Sequence, residues 1–150
     1  MSSASAAAVQ APPLEKVFHF DSPTEVYTAD ACVISCFDAR FDTALRKFFK
    51  RRGILVYDHV KIPASVKPWA APDGDPDTEI LLRALRTSIR LHRPGKVLLI
   101  AHTDCGGYPN TPNDTVTRDL QRAGIFLRAA EPSLKVECYF ADFDGIYRVG

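Results

Sequence analysis

Short apolar runs alternate with segments of helical periodicity along this chain, and that alternation restricts its fold more than any other feature. Residues 31–36, Ala31-Cys32-Val33-Ile34-Ser35-Cys36, form a compact apolar run of the kind a buried strand needs. Similar runs occupy residues 54–57, 96–101 and 136–140. Between them lie three amphipathic stretches. Residues 42–52 place Leu45, Phe48 and Phe49 on one face, open at Asp42 or Thr43, and close on Lys50, Arg51 and Arg52 before Gly53. Residues 77–92 carry Ile80, Leu81, Leu85 and Ile89, and residues 114–130 carry Val116, Leu120, Ile125 and Leu127. Asp144-Gly145 marks a turn into a short last strand at 146–149.

Strands separated by helices predict an α/β fold with a mostly parallel sheet, helices on both faces and right-handed crossovers. The expected strand order is 2-1-3-4, with the last strand as a short extra edge. Residues 30–150 read as a single domain. Residues 1–29 begin with an Ala/Ser-rich stretch ending at Pro12-Pro13 and read as a flexible or arm-like extension, with Phe18, Phe20, Val26 and Tyr27 as anchors on the domain or on a partner subunit. The 63–76 stretch reads as a Pro-rich loop that encloses Trp69.

Composition narrows the function classes. The chain has 150 residues, and Lys+Arg 19 against Asp+Glu 18 leaves a formal charge of +1. Nucleic-acid binding needs a concentrated basic footprint, so it is not expected. The basic run around Arg46-Lys47 and Lys50-Arg51-Arg52 reads as a solvated helix face. No apolar run approaches the ~20 residues that span a bilayer, and the N-terminus lacks the pattern of a signal peptide. The expectation is a soluble, cytoplasmic protein with no membrane or nucleic-acid partner. In a reducing compartment, four cysteines point to metal binding or catalysis before disulfides.

The cysteines divide by position. Cys36 closes the first strand and opens Cys36-Phe37-Asp38-Ala39-Arg40; His102 and Cys105 follow the third strand in His102-Thr103-Asp104-Cys105-Gly106-Gly107. With strands one and three adjacent, these residues meet at the carboxyl ends of the strands, where open α/β sheets bind ligands. Two thiolates and an imidazole suit Zn2+ and leave its fourth position open. Asp38 beside Arg40 stays ionised, and could either ligate the metal or accept a hydrogen bond at the open position. Gly106 and Gly107 permit close backbone approach. Phe37, His59, Gly106 and Gly107 are the expected pocket residues. Asp104 reads as a turn or helix-cap residue rather than a ligand, His92 as a helix C-terminal cap, and Cys32 and Cys138 as core thiols. A thiol-redox reading lacks a Cys-x-x-Cys pair.

Cys-x-Asp-x-Arg followed by His-x-x-Cys-Gly resembles the β-class carbonic anhydrases, a family that also includes hydrolases of carbonyl sulfide and carbon disulfide. The likeness covers roughly residues 30–150 and is concentrated in the two motifs; the chain reads as a short, divergent member. The resemblance implies zinc on Cys36, His102 and Cys105, with Asp38 and Arg40 as the accompanying dyad. It implies hydration of CO2 to bicarbonate by a metal-bound hydroxide, or the equivalent reaction of carbonyl sulfide or carbon disulfide. It also implies a homodimer or higher homo-oligomer with N-terminal arms embracing a partner. A non-catalytic zinc-binding protein of the same fold is the alternative. After the second strand many family members carry Arg-Asn-Ala-Gly, where this chain reads Asp58-His59-Val60-Lys61-Ile62-Pro63-Ala64-Ser65.

Overall fold

A computed structural model describes residues 5–150. Its sheet has five strands: β1 (Ala31–Ser35), β2 (Tyr57–Lys61), β3 (Lys96–His102), β4 (Lys135–Ala141) and β5 (Ile146–Arg148). The order is β2-β1-β3-β4-β5; the first four strands run parallel and β5 pairs antiparallel with β4. This is the expected order with the expected edge strand.

Alternation along the strands divides the core in two. Cys32, Ile34, Val97, Leu99, Val136 and Cys138 pack beneath α3 (Thr78–His92) and α4 (Asn113–Ala130). Ala31, Val33, Leu98 and Ile100 pack against Leu45 and Phe49 of α1 (Asp42–Arg51). Helices therefore cover both faces. Every residue of β1 is buried, which explains why it reads as an unbroken apolar run rather than an alternating one.

The second strand departs from expectation. Of the residues expected to form it, 54–57, only Tyr57 is strand. Ile54 is buried, but Leu55 and Val56 are exposed, and both of their amides donate to the Asp30 carboxylate at 2.9 Å. Asp30 thereby satisfies the donors that a sheet would otherwise take, and strand pairing begins only at Tyr57. β2 is an edge strand with polar, half-buried side chains, so it lacks the apolar signature of the inner strands. Asp58–Lys61 is consequently strand, and the loop beyond it starts at Ile62.

The 63–76 stretch is not all loop. It contains the short helix α2 (Lys67–Ala70) and a 3-10 turn (Pro72–Gly74). Trp69 is fully buried and donates Nε1–H to the Thr78 carbonyl at 3.3 Å. His92, at the end of α3, turns to Asp58 instead of capping its own helix: Nδ1 lies 2.7 Å from Asp58 Oδ2, and the ring stacks on Tyr27. Asp58 also accepts from Tyr27 and Ser88, so this carboxylate ties the end of the N-terminal segment to α3.

Residues 5–26 carry no helix or strand and are exposed, Val9, Leu14, Val17, Phe18 and Phe20 among them. The first four positions of the expected 1–29 arm lie outside the described residues. No helix among the described residues is long and apolar enough to cross a membrane.

Deleting the Trp69 indole removes a fully buried ring and one hydrogen bond. Trp69→Ala should cost about 3–5 kcal/mol of stability, measured by chemical denaturation.

Candidate metal centre

The register of β1 against β3 builds the centre. The last pair is Ile34↔Leu99. Two residues further, one chain reaches Cys36 and the other Ala101, just before His102. Cys36 extends the face covered by α3 and α4, whereas the His102 ring lies 4.6 Å from Phe41 near α1. Cys105 returns on the loop after β3. One donor atom from each of Cys36, His102 and Cys105 lies within 4.8 Å of the others, and all three residues are buried. The two sulfurs are 3.9 Å apart, and all four cysteines are free thiols.

The protonation pattern suits a metal. His102 Nδ1 lies 2.6 Å from the Thr103 carbonyl oxygen. A carbonyl only accepts, so Nδ1 carries a proton, and in the neutral tautomer Nε2 is left as the lone pair. That Nε2 is buried without a hydrogen-bond partner. The other such atom among the described residues, Glu137 Oε1, has Lys135 Nζ at 3.5 Å to offset its charge; His102 sits among two thiols, with the Asp38 carboxylate 4.0 Å from Nε2. A buried lone pair with no donor is costly unless something binds it. Burial pushes the Cys36 thiol upward, as does neighbouring Cys105, although amides of Asp38 and Ala64 point at the sulfur. A cation among the donors would reverse that tendency, because metal coordination deprotonates a thiol. The three residues therefore fit a metal ion of zinc's preferences.

Asp38 stands beside this group and outside it. Its Oδ2 is 4.0 Å from His102 Nε2. The carboxylate caps the 3-10 turn Ala39–Phe41 by accepting from the Arg40 amide, and it also accepts from Arg40 Nε and Nη2, the latter at 2.7 Å. Hydrogen bonding to Arg40 holds the Asp38 carboxyl down at about 2. A carboxyl lowered in the folded state stays ionised above the usual carboxylate range, and the pair is lost only as pH falls towards 2. The same guanidinium reaches the second loop: Nη1 donates to Asp104 Oδ2 and Nη2 to the Asp104 carbonyl, both at 3.0 Å. Asp104, expected to be only a turn or helix-cap residue, therefore joins the group. Its sole sequence signal is its place between His102 and Cys105. Phe143 of the β4–β5 turn lies 5.3 Å from the guanidinium and 5.6 Å from Phe41.

The expected pocket residues separate. Gly106 lines an open groove of about 450 Å³ with Asp104, Cys105, Tyr108 and Asn110. Gly107 serves packing, since a Cβ there would sit 2.6 Å from Ala64 Cβ and 2.9 Å from its nitrogen. Ala64 and Ser65, both at positive φ, bring the loop after β2 against the centre. Phe37 is 61% exposed. His59 lies within β2, level with Val33 on the α1 face, with its ring beside Phe49 and Tyr57 and Nε2 2.7 Å from Ser35 Oγ. Burial pushes it down to about 4, so it stays neutral at physiological pH and is poorly matched to proton shuttling.

A family profile described as "Putative carbonic anhydrase" matches residues 27–148. Among curated proteins no match is found. Solved structures with the same fold include a carbonic anhydrase from Streptococcus mutans, with 12% identity, TM-score 0.63, and 88% of this chain and 89% of that one covered. The beta-carbonic anhydrase isoform I of Trichomonas vaginalis is similar at 9% identity and TM-score 0.63, covering 87% of each chain. One of the tetrameric beta-carbonic anhydrases of Sordaria macrospora aligns at 14% identity and TM-score 0.51, over 83% of this chain and 82% of its own.

The two glycines should answer differently to the same change. Gly107→Ala should lower stability by about 1–3 kcal/mol and weaken metal binding, because it meets Ala64 backbone. Gly106→Ala, where an added Cβ meets nothing within 4 Å, should be tolerated. Chemical denaturation and metal titration of both variants check this.

Proposed function

Since the chain belongs to the carbonic anhydrase family whose profile spans residues 27–148, we propose that it hydrates CO2 to bicarbonate with zinc held by Cys36, His102 and Cys105. The observation that carries this reading is the buried cluster of Cys36, His102 and Cys105, with one donor atom of each within 4.8 Å of the others and His102 Nε2 left without a hydrogen-bond partner. When bound, zinc supplies the Lewis acidity that lowers the pKa of an adjacent water.

The chain's own groups do the rest. Asp38, ionised and acceptor-only, accepts an O–H from the attacking oxygen and so directs a lone pair at the substrate carbon. Arg40 fixes the orientation of that carboxylate through charge-assisted bonds. Phe143, exposed and stacked on the buried Phe41, offers apolar surface beside the group, suited to an uncharged linear molecule. The commitment of Asp38 to Arg40 favours an open fourth position over a closed, non-catalytic zinc site.

The assembly reading is a homo-oligomer in which residues 5–26 lie on a second copy. The exposed apolar side chains of that segment support it, as does the tetrameric state named for the Sordaria macrospora enzymes. Four free thiols suit a reducing, cytoplasmic setting.

Purified protein should contain one zinc per chain, and stopped-flow CO2 hydration should show turnover. Two thiolates offset the metal's charge, so activity should rise from pH 6 to 9; a flat profile contradicts that account. Asp38→Ala should keep zinc and lose about 100-fold in kcat. Turnover of carbonyl sulfide or carbon disulfide but not CO2 would reassign the substrate. Stoichiometric zinc without turnover of any of the three would favour the binding-protein reading. Absence of zinc would overturn both.

A further inference from the structure

Asp38 and Arg40 are two residues apart on one short loop, so their ion pair alone fixes nothing beyond that loop. If it were the whole device, the pair could swing away from the centre as a unit. His102 ends β3 and Cys105 lies on the loop after it, and Arg40 reaches that loop through Asp104. Nη1 donates to the Asp104 carboxylate and Nη2 to its carbonyl, each at 3.0 Å. Asp104 sits at φ 51°, a left-handed conformation that aspartate tolerates better than most residues. Both acceptors of one residue thus serve one guanidinium. Phe143 and Phe41 flank that guanidinium, with its carbon 5.3 and 5.8 Å from their ring centroids.

We propose that Asp104 is a positioning residue that turns the Asp38–Arg40 pair into a clasp across the two ligand-bearing loops. The clasp sets Asp38 against the centre and holds Cys36 opposite His102 and Cys105. The proposal rests on the reading of those three residues as a metal site. Its effect is on geometry more than on stability. The Arg40 and Asp104 side chains are 47% and 72% exposed, and exposed ion pairs add little to folding free energy. Groups that orient metal ligands or their neighbours matter more for affinity and turnover.

The test compares wild type, Asp104→Ala and Asp104→Asn. Zinc affinity is measured by chelator competition and CO2 hydration by stopped flow, with thermal melting alongside. Amide hydrogen exchange of the metal-free proteins is followed over residues 36–41 and 102–107. Asp104→Ala should lose about 10-fold in zinc affinity and about 10-fold in kcat, with KM little changed and only the small fall in melting temperature that alanine at positive φ brings. Its metal-free form should exchange faster over residues 36–41. Asp104→Asn keeps a side-chain acceptor and tolerates positive φ, so it should recover most of the affinity. Wild-type affinity and exchange in Asp104→Ala would overturn the proposal. So would equal losses in both variants with a large fall in melting temperature, which mark a folding role only. If wild type binds no zinc, the metal-site reading fails, and exchange over residues 36–41 still decides whether the clasp exists.

Discussion

The parallel pairing of β1 with β3 is the constraint on which the centre depends. It places the end of one strand two residues past Ile34↔Leu99 and so sets Cys36 beside the start of the His102–Cys105 loop. A one-residue slip would turn Cys36 to the opposite face of the sheet and change its place relative to His102 and Cys105. Two packed faces resist such a slip, because both sets of side chains on β1 are buried. The core therefore supplies precision as well as stability: the hydrophobic residues that make the sheet also hold the register that brings a thiol to an imidazole.

Around that register the electrostatics are layered. The cluster itself is buried and short of donors, with a bare imidazole nitrogen and a thiol raised by desolvation. Charge sits just outside it, on Asp38, Arg40 and Asp104, where partial exposure keeps ionisation inexpensive. Such a division suits a site that binds a cation inside and handles an uncharged substrate at its rim.

Much of this was legible in the sequence, and the exceptions have physical causes. The inner strands declare themselves because burial on both faces demands continuous apolar runs. β2 does not, because an edge strand tolerates Asp58, His59 and Lys61, while in the apolar stretch before it the Leu55 and Val56 amides are bound instead to Asp30. α2 hides in a Pro-rich stretch whose stability comes from the buried Trp69. The candidate ligands Cys36, His102 and Cys105 stand out because two motifs place them at the ends of adjacent strands. Asp104 does not, because its partner is 64 residues away and an aspartate between His102 and Cys105 looks like any turn residue. His59, an expected pocket residue, is not placed by the sequence: only the register shows that it shares the side of Val33, with its ring on Phe49 and Tyr57.

The most direct test of the central claim is X-ray absorption at the zinc edge of the loaded protein. The account predicts two sulfur scatterers at about 2.3 Å and one imidazole nitrogen at about 2.0–2.1 Å, with a fourth light-atom ligand that survives in Asp38→Ala. Loss of that fourth ligand in Asp38→Ala would show that Asp38 closes the site. Fewer than two sulfurs in wild type would contradict the Cys36, His102 and Cys105 centre itself.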